Sequence, residues 1–376
     1  MKVSQRTVRL ELTEPLRISR STMAARDAIW LAIEHQGTRG YGEAVTSTYY
    51  GLDAARLGRL LHEAGRDLAR CATPESALDA LRVGELPAPG TPPAVTAAVE
   101  SALLDLAGKR AGVPVHRLLG APEAPYAATA RTIGITSYRA AAEQARLLTR
   151  RGFSVLKIKA GAPDPEDDLD RVLAVRNAAP HARLLLDPNG AWSPALADTL
   201  LPRYAALGVE AVEQPLAPGD PEALAALAAR SPLPVIADED AVGFEDARRL
   251  AGRVHGINVK LAKCGGVTAA LRIADLLAGS GTALMLGCLT ASTLGLAPAV
   301  HLADRARWTD LDGHLLLAHD PWTGIGGTDG TVRAGGEPGL GVRPVHGAPP
   351  PGEEPADGET AGQETPEPAR DGEAAQ

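Results

Sequence analysis

The chain has only three cysteines, Cys71, Cys264 and Cys288. So few and so scattered, they suit neither a disulfide framework nor a zinc site, and they read as small, reduced, buried side chains without a role. Long apolar runs are missing too. Nothing approaches the roughly eighteen consecutive apolar residues of a membrane span, and the N-terminal stretch "MKVSQRTVRLELTEP" has no apolar core of the kind a signal peptide carries. The expectation is a cytoplasmic protein with no membrane partner. The sequence also lacks a basic patch interleaved with aromatics, which sets nucleic acid aside as a partner.

Charge of one sign is abundant in one place only. The formal charge is −8, but residues 346–376 hold eight acidic residues against the single Arg370, so the rest of the chain is close to neutral at −1. That tail is rich in Pro, Gly and Ala and has no Leu, Ile, Val or aromatic residue. It cannot bury enough apolar surface to offset its ordering entropy, so it is expected to be a disordered, solvated extension. The remainder, in a chain of 376 residues with 45% hydrophobic content, is long enough for two domains.

Residues 1–125 begin with strand-like runs, "VSQRTVRLEL", "AIWLAIEHQG" and "RGYGEAV", and then turn helical. The longest helical pattern puts Val95, Ala98, Leu103, Leu104 and Leu106 on one broad apolar face, and Gly112 with Pro114 ends it. This is an α+β domain. From about residue 126 to 312 short apolar runs alternate with helices. Three of these start on a capping residue followed by proline: Asp164-Pro165, Ser193-Pro194 and Asp220-Pro221. Eight strand candidates, "ARTIGI", "SVLKIK", "ARLLLD", "VEAVEQ", "LPVIAD", "GINVKL", "TALMLG" and "RWTDLD", predict a parallel α/β barrel of the TIM type.

The ends of those strands carry charge. Lys157 and Lys159 end the second, Asp187 the third, Glu213 the fourth, Asp238 the fifth, Lys260 the sixth, and Asp310 with Asp312 the eighth. Strand ends in such a barrel share one face, and an apolar barrel gains nothing from converging charges that must be desolvated. Asp187, Glu213 and Asp238 would repel one another unless a cation lay between them. Hard oxygen donors without His or Cys select magnesium, with manganese as a substitute. A lysine on each side could remove a proton next to a metal-bound carboxylate and return one to the opposite face, which is racemisation or epimerisation. Lys159 reads as the general base. Lys157, two residues back on the same side of the strand, reads as the neutraliser of a substrate carboxylate oxygen.

The ordered motifs "LKIKAG", "LLLDPNGAW", "VEQP", "ADED" and "NVKLAKCGG" resemble the signature of the enolase superfamily in its muconate lactonizing branch. The helix "AVESALLDLAGKRAGVPVHRLLG" resembles the one that closes that family's capping domain. The resemblance implies a (β/α)7β barrel with an N-terminal α+β capping domain, closed in part by residues 313–345. It further implies Lys159 and Lys260 as the acid/base pair and Asp187, Glu213 and Asp238 as magnesium ligands. Asn189 and Lys263 would support them. "TDLDGH" resembles the Asp-x-Asp of dipeptide epimerases, in which Asp310 and Asp312 would hold a substrate's α-ammonium group.

Two capping loops would choose the side chains. "ISRSTMAARD" offers Arg20 and Arg26 where the alanyl-glutamate epimerases have an arginine for the glutamate side chain, and "TSTYYGLD" offers Tyr49 and Tyr50. Ala291 stands where the family often has a glutamate. The expected activity is therefore epimerisation at the carboxy-terminal residue of a dipeptide such as L-Ala-D/L-Glu, by a chain that either acts alone or forms a homo-oligomer. The alternatives within the superfamily are o-succinylbenzoate synthase, N-acylamino acid racemase or cycloisomerase activity, whose substrates leave the Asp-x-Asp pair without a purpose. A non-catalytic binding barrel is the alternative outside it, and the filled lysine and carboxylate positions speak against that. His301 reads as a core residue of an apolar helix.

Overall fold

Period-two patterning in the first residues builds an antiparallel sheet, and a computed structural model shows it over β1 (Lys2–Ile18), β2 (Ser21–His35) and β3 (Thr38–Val45). The structure describes residues 1–345 together with 351 and 352, so the tail expected to be disordered otherwise lies outside the described residues. Helices α1 (Ala54–Leu68), α2 (Pro74–Arg82) and α3 (Pro93–Ala111) follow. Glycine lets α3 press onto the sheet: a Cβ at Gly40 would stand 2.1 Å from the Ala102 carbonyl oxygen, and one at Gly42 2.2 Å from that of Ala98. As the Gly-x-Pro signal predicts, α3 stops at Gly112 in the left-handed region, with φ +70.

One expectation changes here. The segment read as a capping loop, "ISRSTMAARD", is mostly strand: β1 and β2 stay paired to Ile18 opposite Ser21 and leave only Ser19 and Arg20 as a turn. The register shifts between Glu11 and Leu16, the stretch that contains Pro15, which has no N–H to give to a ladder. Pairing then resumes at Leu16 opposite Met23.

After the short helix α4 (Val115–Leu118) and β4 (Tyr126–Ala128), the barrel begins. Its eight strands are β5 (Ala130–Ile133), β6 (Val155–Lys159), β7 (Arg183–Asp187), β8 (Val209–Glu213), β9 (Val235–Ala237), β10 (Gly256–Val259), β11 (Ala283–Gly287) and β12 (Trp308–Asp310), all parallel and in chain order. Between them run α5 (Tyr138–Arg150), α6 (Pro165–Ala178), α7 (Pro194–Ala206), α8 (Pro221–Ala228), α9 (Phe244–Leu250), α10 (Leu261–Cys264) with α11 (Val267–Leu277), and α12 (Thr293–Val300). All eight strand candidates are present in the expected order. The three predicted caps hold, with Asp164, Ser193 and Asp220 accepting from Glu166, Leu196 and Ala223 backbone N–H groups.

Side chains close the seam between β12 and β5. The Leu311 N–H donates to Thr129 Oγ1 at 2.8 Å, and the Thr132 N–H donates to Asp312 Oδ2 at 2.7 Å. The barrel floor is apolar, built from Ala130, Val155, Leu185, Ala211, Ile236, Met285 and Trp308. Trp308 fills it so completely that a Cβ at Gly256 would lie 2.7 Å from the indole.

The last described segment returns to the first domain. It holds β13 (Trp322–Thr323), β14 (Thr331–Arg333) paired with β4, and β15 (Arg343–Pro344). The Trp322 ring packs edge-on against Trp30 and tilted against Tyr41. His301 is a buried residue of this neighbourhood: its Nδ1 accepts the His116 N–H and its Nε2 meets the Leu340 carbonyl oxygen.

Candidate active site

Alternation along a strand decides which side chains enter the barrel. On β6, Val155 lies in the floor, Lys157 one level up, and Lys159 at the mouth, so the two lysines share a side but not a depth. Lys157 is 2% exposed and does not line the cleft. Its Nζ sits 2.6 Å from Glu213 Oε2, 2.8 Å from Asp310 Oδ2 and 3.0 Å from Asp187 Oδ2. It is the ionic centre beneath the mouth, paired with the protein's own carboxylates. Burial opposes its charge, but Asp187, Asp310 and Glu213 together hold its pKa well above the usual lysine range. One ammonium shared by three carboxylates leaves a deficit. Burial first, and then the neighbouring Asp187 and Asp238, push the Glu213 carboxyl up to about 7.

The mouth carries the other lysines. Lys159 Nζ is 2.5 Å from Asp187 Oδ2, and Lys260 Nζ is 2.7 Å from Asp238 Oδ2. They sit on β6 and directly after β10, four strands apart in a barrel of eight, and so face one another across the opening. Both line one cleft of about 600 Å³ between the barrel mouth and the first domain. Lys260 is not lowered towards neutrality. Burial disfavours its charge, yet Asp238 and Glu213 outweigh that and hold it above the ordinary lysine value.

Both expected supports hold their carboxylates. Asn189, in the left-handed region at φ +49, donates its N–H to Asp187 Oδ1 at 2.9 Å and its side-chain amide to Oδ2 at 3.3 Å. Lys263 donates to Asp238 Oδ1 and to the Asp238 carbonyl, both at 2.6 Å, and to the Asn258 carbonyl at 2.9 Å. Asn258 and Gln214 are supports the sequence reading missed. Asn258 Nδ2 donates to Glu213 Oε1 at 2.8 Å, and Gln214 Oε1 accepts the Asp238 and Asp240 N–H groups. Asn258 was legible in principle, because it lies two residues before Lys260, whose backbone continues the extended course of β10, and so shares its side.

The Asp310–Asp312 pair is not two equal groups on a strand. β12 ends at Asp310, and Asp312 lies in the turn beyond it, where Oδ2 accepts the Thr132 N–H and pairs with Arg131 at 3.2 Å. Asp310 alone retains a buried oxygen, Oδ1, without a hydrogen-bond partner.

Of the two arginines, Arg20 is paired. It meets Glu239 Oε1 at 2.7 Å, donates to the Asn189 carbonyl at 3.2 Å, and lies 4.7 Å over the Tyr49 ring. Nothing in the sequence pointed to Glu239. Arg26 lines the same cleft, but its Nε and Nη2 face only the Met23 sulfur at 3.4 and 3.3 Å, and its Nη1 has no partner. Tyr50 lines the cleft with its hydroxyl pKa raised by burial and by Asp238.

The donor set fits a hard divalent cation in chemistry: Asp187, Glu213 and Asp238 stand at the ends of three adjacent strands and offer only oxygen, and Glu213 Oε2 has no partner but the Lys157 ammonium. The argument that charge alone demands a metal does not survive. Four lysines and Arg20 stand against Asp187, Glu213, Asp238, Glu239 and Asp310, and the point shared by Asp187, Glu213 and Asp310 is taken by the Lys157 ammonium.

Residues 1–120 match the mandelate racemase / muconate lactonizing enzyme N-terminal domain, and residues 139–347 match the enolase C-terminal domain-like family. The chain belongs to this family. The resemblance of its motifs to the enolase superfamily is thereby borne out, as is the capped-barrel fold class. A hydrophobic dipeptide epimerase from Roseobacter litoralis is 35% identical over 344 residues, covering 91% of this chain and 98% of the relative. Among solved structures, a dipeptide epimerase from Enterococcus faecalis, complexed with Mg and the dipeptide L-Leu-L-Tyr, superposes with TM-score 0.84 at 31% identity. That match covers 90% of this chain and 98% of the other. The dipeptide epimerase from Methylococcus capsulatus, complexed with Mg and L-Arg-D-Lys, gives TM-score 0.82 at 31% identity over 91% and 98%.

Proposed function

We propose that this chain is a magnesium-dependent dipeptide epimerase that inverts the α-carbon of the carboxy-terminal residue, with Lys159 and Lys260 as its two bases. It is an isomerase acting on amino-acid derivatives, as its relatives are. The observation that carries the reading is the pair of lysines facing one cleft from opposite sides of the barrel mouth, with three carboxylate strand ends between them. A planar carbon between the two ammonium groups can lose a proton to one and gain one from the other.

Asp187, Glu213 and Asp238 would hold the cation, with manganese as the expected substitute. Bound there, magnesium supplies positive charge against the negative charge that develops on the substrate carboxylate as the α-proton leaves. Asn189 and Lys263 keep two of the carboxylates in place, and the first domain's Tyr50 and Arg20 border the cleft and exclude water from it. Asp310, with its free buried oxygen, is the group that would take the α-ammonium, while Asp312 closes the barrel seam.

Arg26 sets the side chain. A guanidinium fork facing a thioether, a weak acceptor, is matched far better by a carboxylate, so the reading favours dipeptides with an acidic residue. Action in the cytoplasm belongs to the same proposal. Among the described residues no helix is long and apolar enough to cross a membrane.

A second reading, racemisation of N-acylamino acids, draws on the engagement of Asp312, which leaves one carboxylate where a firmly held ammonium would meet two. One experiment separates them: proton exchange from D2O into the α-positions of L-Ala-L-Glu, L-Ala-L-Leu and N-acetyl-L-Ala-L-Glu, followed by NMR with magnesium present. The dipeptide reading expects exchange into the free dipeptides and little into the acetylated one, with the opposite order supporting the second. Replacing Lys159 or Lys260 by Ala should cut epimerisation by about a thousandfold, each variant still exchanging the epimer served by the remaining lysine. Exchange of the same epimer by both variants would sink the two-base mechanism. In Arg26→Met the preference for Glu over Leu should shrink by about tenfold, the value of one charge-assisted bond.

A further inference from the structure

Behind β6, away from the cleft, lies a buried ion pair that the reaction does not use. Asp168 and Arg171, on the first turns of α6, have side chains 1% and 2% exposed, and Arg171 Nη1 stands 2.5 Å from Asp168 Oδ1. Neither lines the cleft. A buried pair of this kind gives little net stability over apolar residues of similar volume, so its presence asks for a geometric reason.

Its remaining bonds supply one. Asp168 Oδ2 accepts the N–H of Gly161 at 2.6 Å and of Ala162 at 3.0 Å, while Arg171 donates to the carbonyls of Thr136 at 2.8 Å and Lys159 at 3.3 Å. The backbone leaving β6 turns sharply through Gly161 at φ +93. It is wedged there so tightly that a Cβ would lie 2.7 Å from both Ser19 and Ala191. Such a turn leaves donors and acceptors of both signs without ladder partners, and one Asp–Arg pair answers both. Lys260 has no such support: its carbonyl is taken by the backbone N–H groups of Lys263 and Cys264.

We infer that Asp168 and Arg171 are positioning residues for Lys159, fixing its own carbonyl and the backbone just after it, and tying both to Thr136, so that its ammonium meets one face of the substrate α-carbon. Lys260 is held independently, so the pair governs one of the two proton transfers and not the other. This rests on the two-lysine reading above, and the test keeps the two apart.

The variants are Asp168→Asn, whose amide cannot accept from both the N–H pair and the guanidinium, and the milder Arg171→Lys, which serves if the first does not fold. Exchange from D2O is measured separately for each substrate epimer, after Lys159→Ala has identified the epimer that Lys159 serves. That epimer should exchange at least about tenfold more slowly, since misplacing a reacting group by a fraction of an ångström is costly, while the other stays within about twofold and KM is unchanged. Equal losses on both faces, or none, overturn the inference. Amide hydrogen exchange gives a readout independent of the substrate: residues 159–162 should lose protection in the variants and residues 258–264 should not. If the unaltered protein exchanges no dipeptide, the proposed function fails, and protection at 159–162 still decides the positioning role.

Discussion

The two halves of the barrel hold their helices by different means. In the first half, α6, α7 and α8 each start on their own cap, Asp164, Ser193 or Asp220, which accepts an N–H two or three residues further on. In the second half α9 is capped from within, Asp246 Oδ2 accepting the Val242 and Gly243 N–H groups at 3.1 and 3.0 Å, but the cap positions of α11 and α12 are empty. Gly266 before α11 has no side chain, and Ser292 before α12 makes no capping bond. The first domain supplies what is missing. Glu100 of α3 accepts from the Thr268 N–H and hydroxyl, and Glu43 of β3 accepts from the Ser292 N–H at 2.9 Å, from its hydroxyl, and from Trp30 Nε1. Carboxylates at helix N-termini also meet the positive end of the helix dipole. At its helix starts the first half thus relies on its own side chains, whereas α11 and α12 of the second are finished by the other domain. The cleft borders on both: Lys159 comes from the self-contained half and Lys260 from the half that the first domain completes.

The largest effect expected from this difference is in pH. Burial raises the Glu43 carboxyl to about 7, and its Ser292 and Trp30 donors restrain the rise. A folded-state value above the usual carboxylate range means that the folded protein binds this proton more tightly than the unfolded chain. The stability it contributes is full below about pH 4.5 and is lost as pH rises through about 7. The gap corresponds to about 3 kcal/mol. Urea unfolding of the unaltered protein and of Glu43→Gln, compared between pH 4.5 and 8, should show a loss larger by that amount in the former, since Glu213, also raised to about 7, contributes equally to both. His301, which burial lowers to about 4, works in the opposite direction: its contribution is present above about 6.5 and lost as pH falls through 4. It is common to both proteins and drops out of the difference. Parallel pH curves would show that Glu43 does not change protonation and that the second half is not fastened this way.

The same division explains what was legible in the sequence. The eight strands and three caps rest on signals within a few residues, and they stand where the patterns put them. Glu43 and Glu100 act on residues 249 and 168 positions away, and no local pattern marks a partner at that range. In the site, period two correctly put Lys157 with Lys159 on the inner side, but it carries no information on depth, which is why Lys157 turned out to hold carboxylates. Asp312 was misplaced because the strand was read two residues too long, as Asp-Gly at its end is equally a turn signal. The claim that the carboxylates need a metal overlooked that Lys157 and Lys263 also point inward and supply charge of their own.

A smaller effect is expected at Glu100. Replacing it by Ala leaves the Thr268 N–H and hydroxyl at the buried start of α11 without acceptors, which costs about 2 kcal/mol. Burial raises the Glu100 pKa, so part of that cost is returned by removing a poorly solvated charge. Glu100→Gln, which keeps an acceptor, should therefore lose less than the Ala variant. Amide exchange should accelerate in α11 and leave α6 to α8 untouched. Faster exchange throughout the barrel would mean that the two halves are one cooperative unit and that the contrast is only geometric.

The smallest effect belongs to the local caps. Ser193 accepts the Leu196 N–H at 3.2 Å at the exposed start of α7, and Ser193→Ala should cost about 1 kcal/mol. Water can partly replace the lost acceptor there, whereas none reaches Thr268 as easily. Ser193 and Glu43 share no hydrogen-bonding partner and lie in different halves, so their substitutions should add to within about 0.5 kcal/mol in a double variant at pH 8. Additivity would follow from a first half that folds on its own terms. A coupling well above that figure would mean that fastening α12 to the first domain also steadies α7, which no contact between the two caps explains, and the self-contained half would lose its independence.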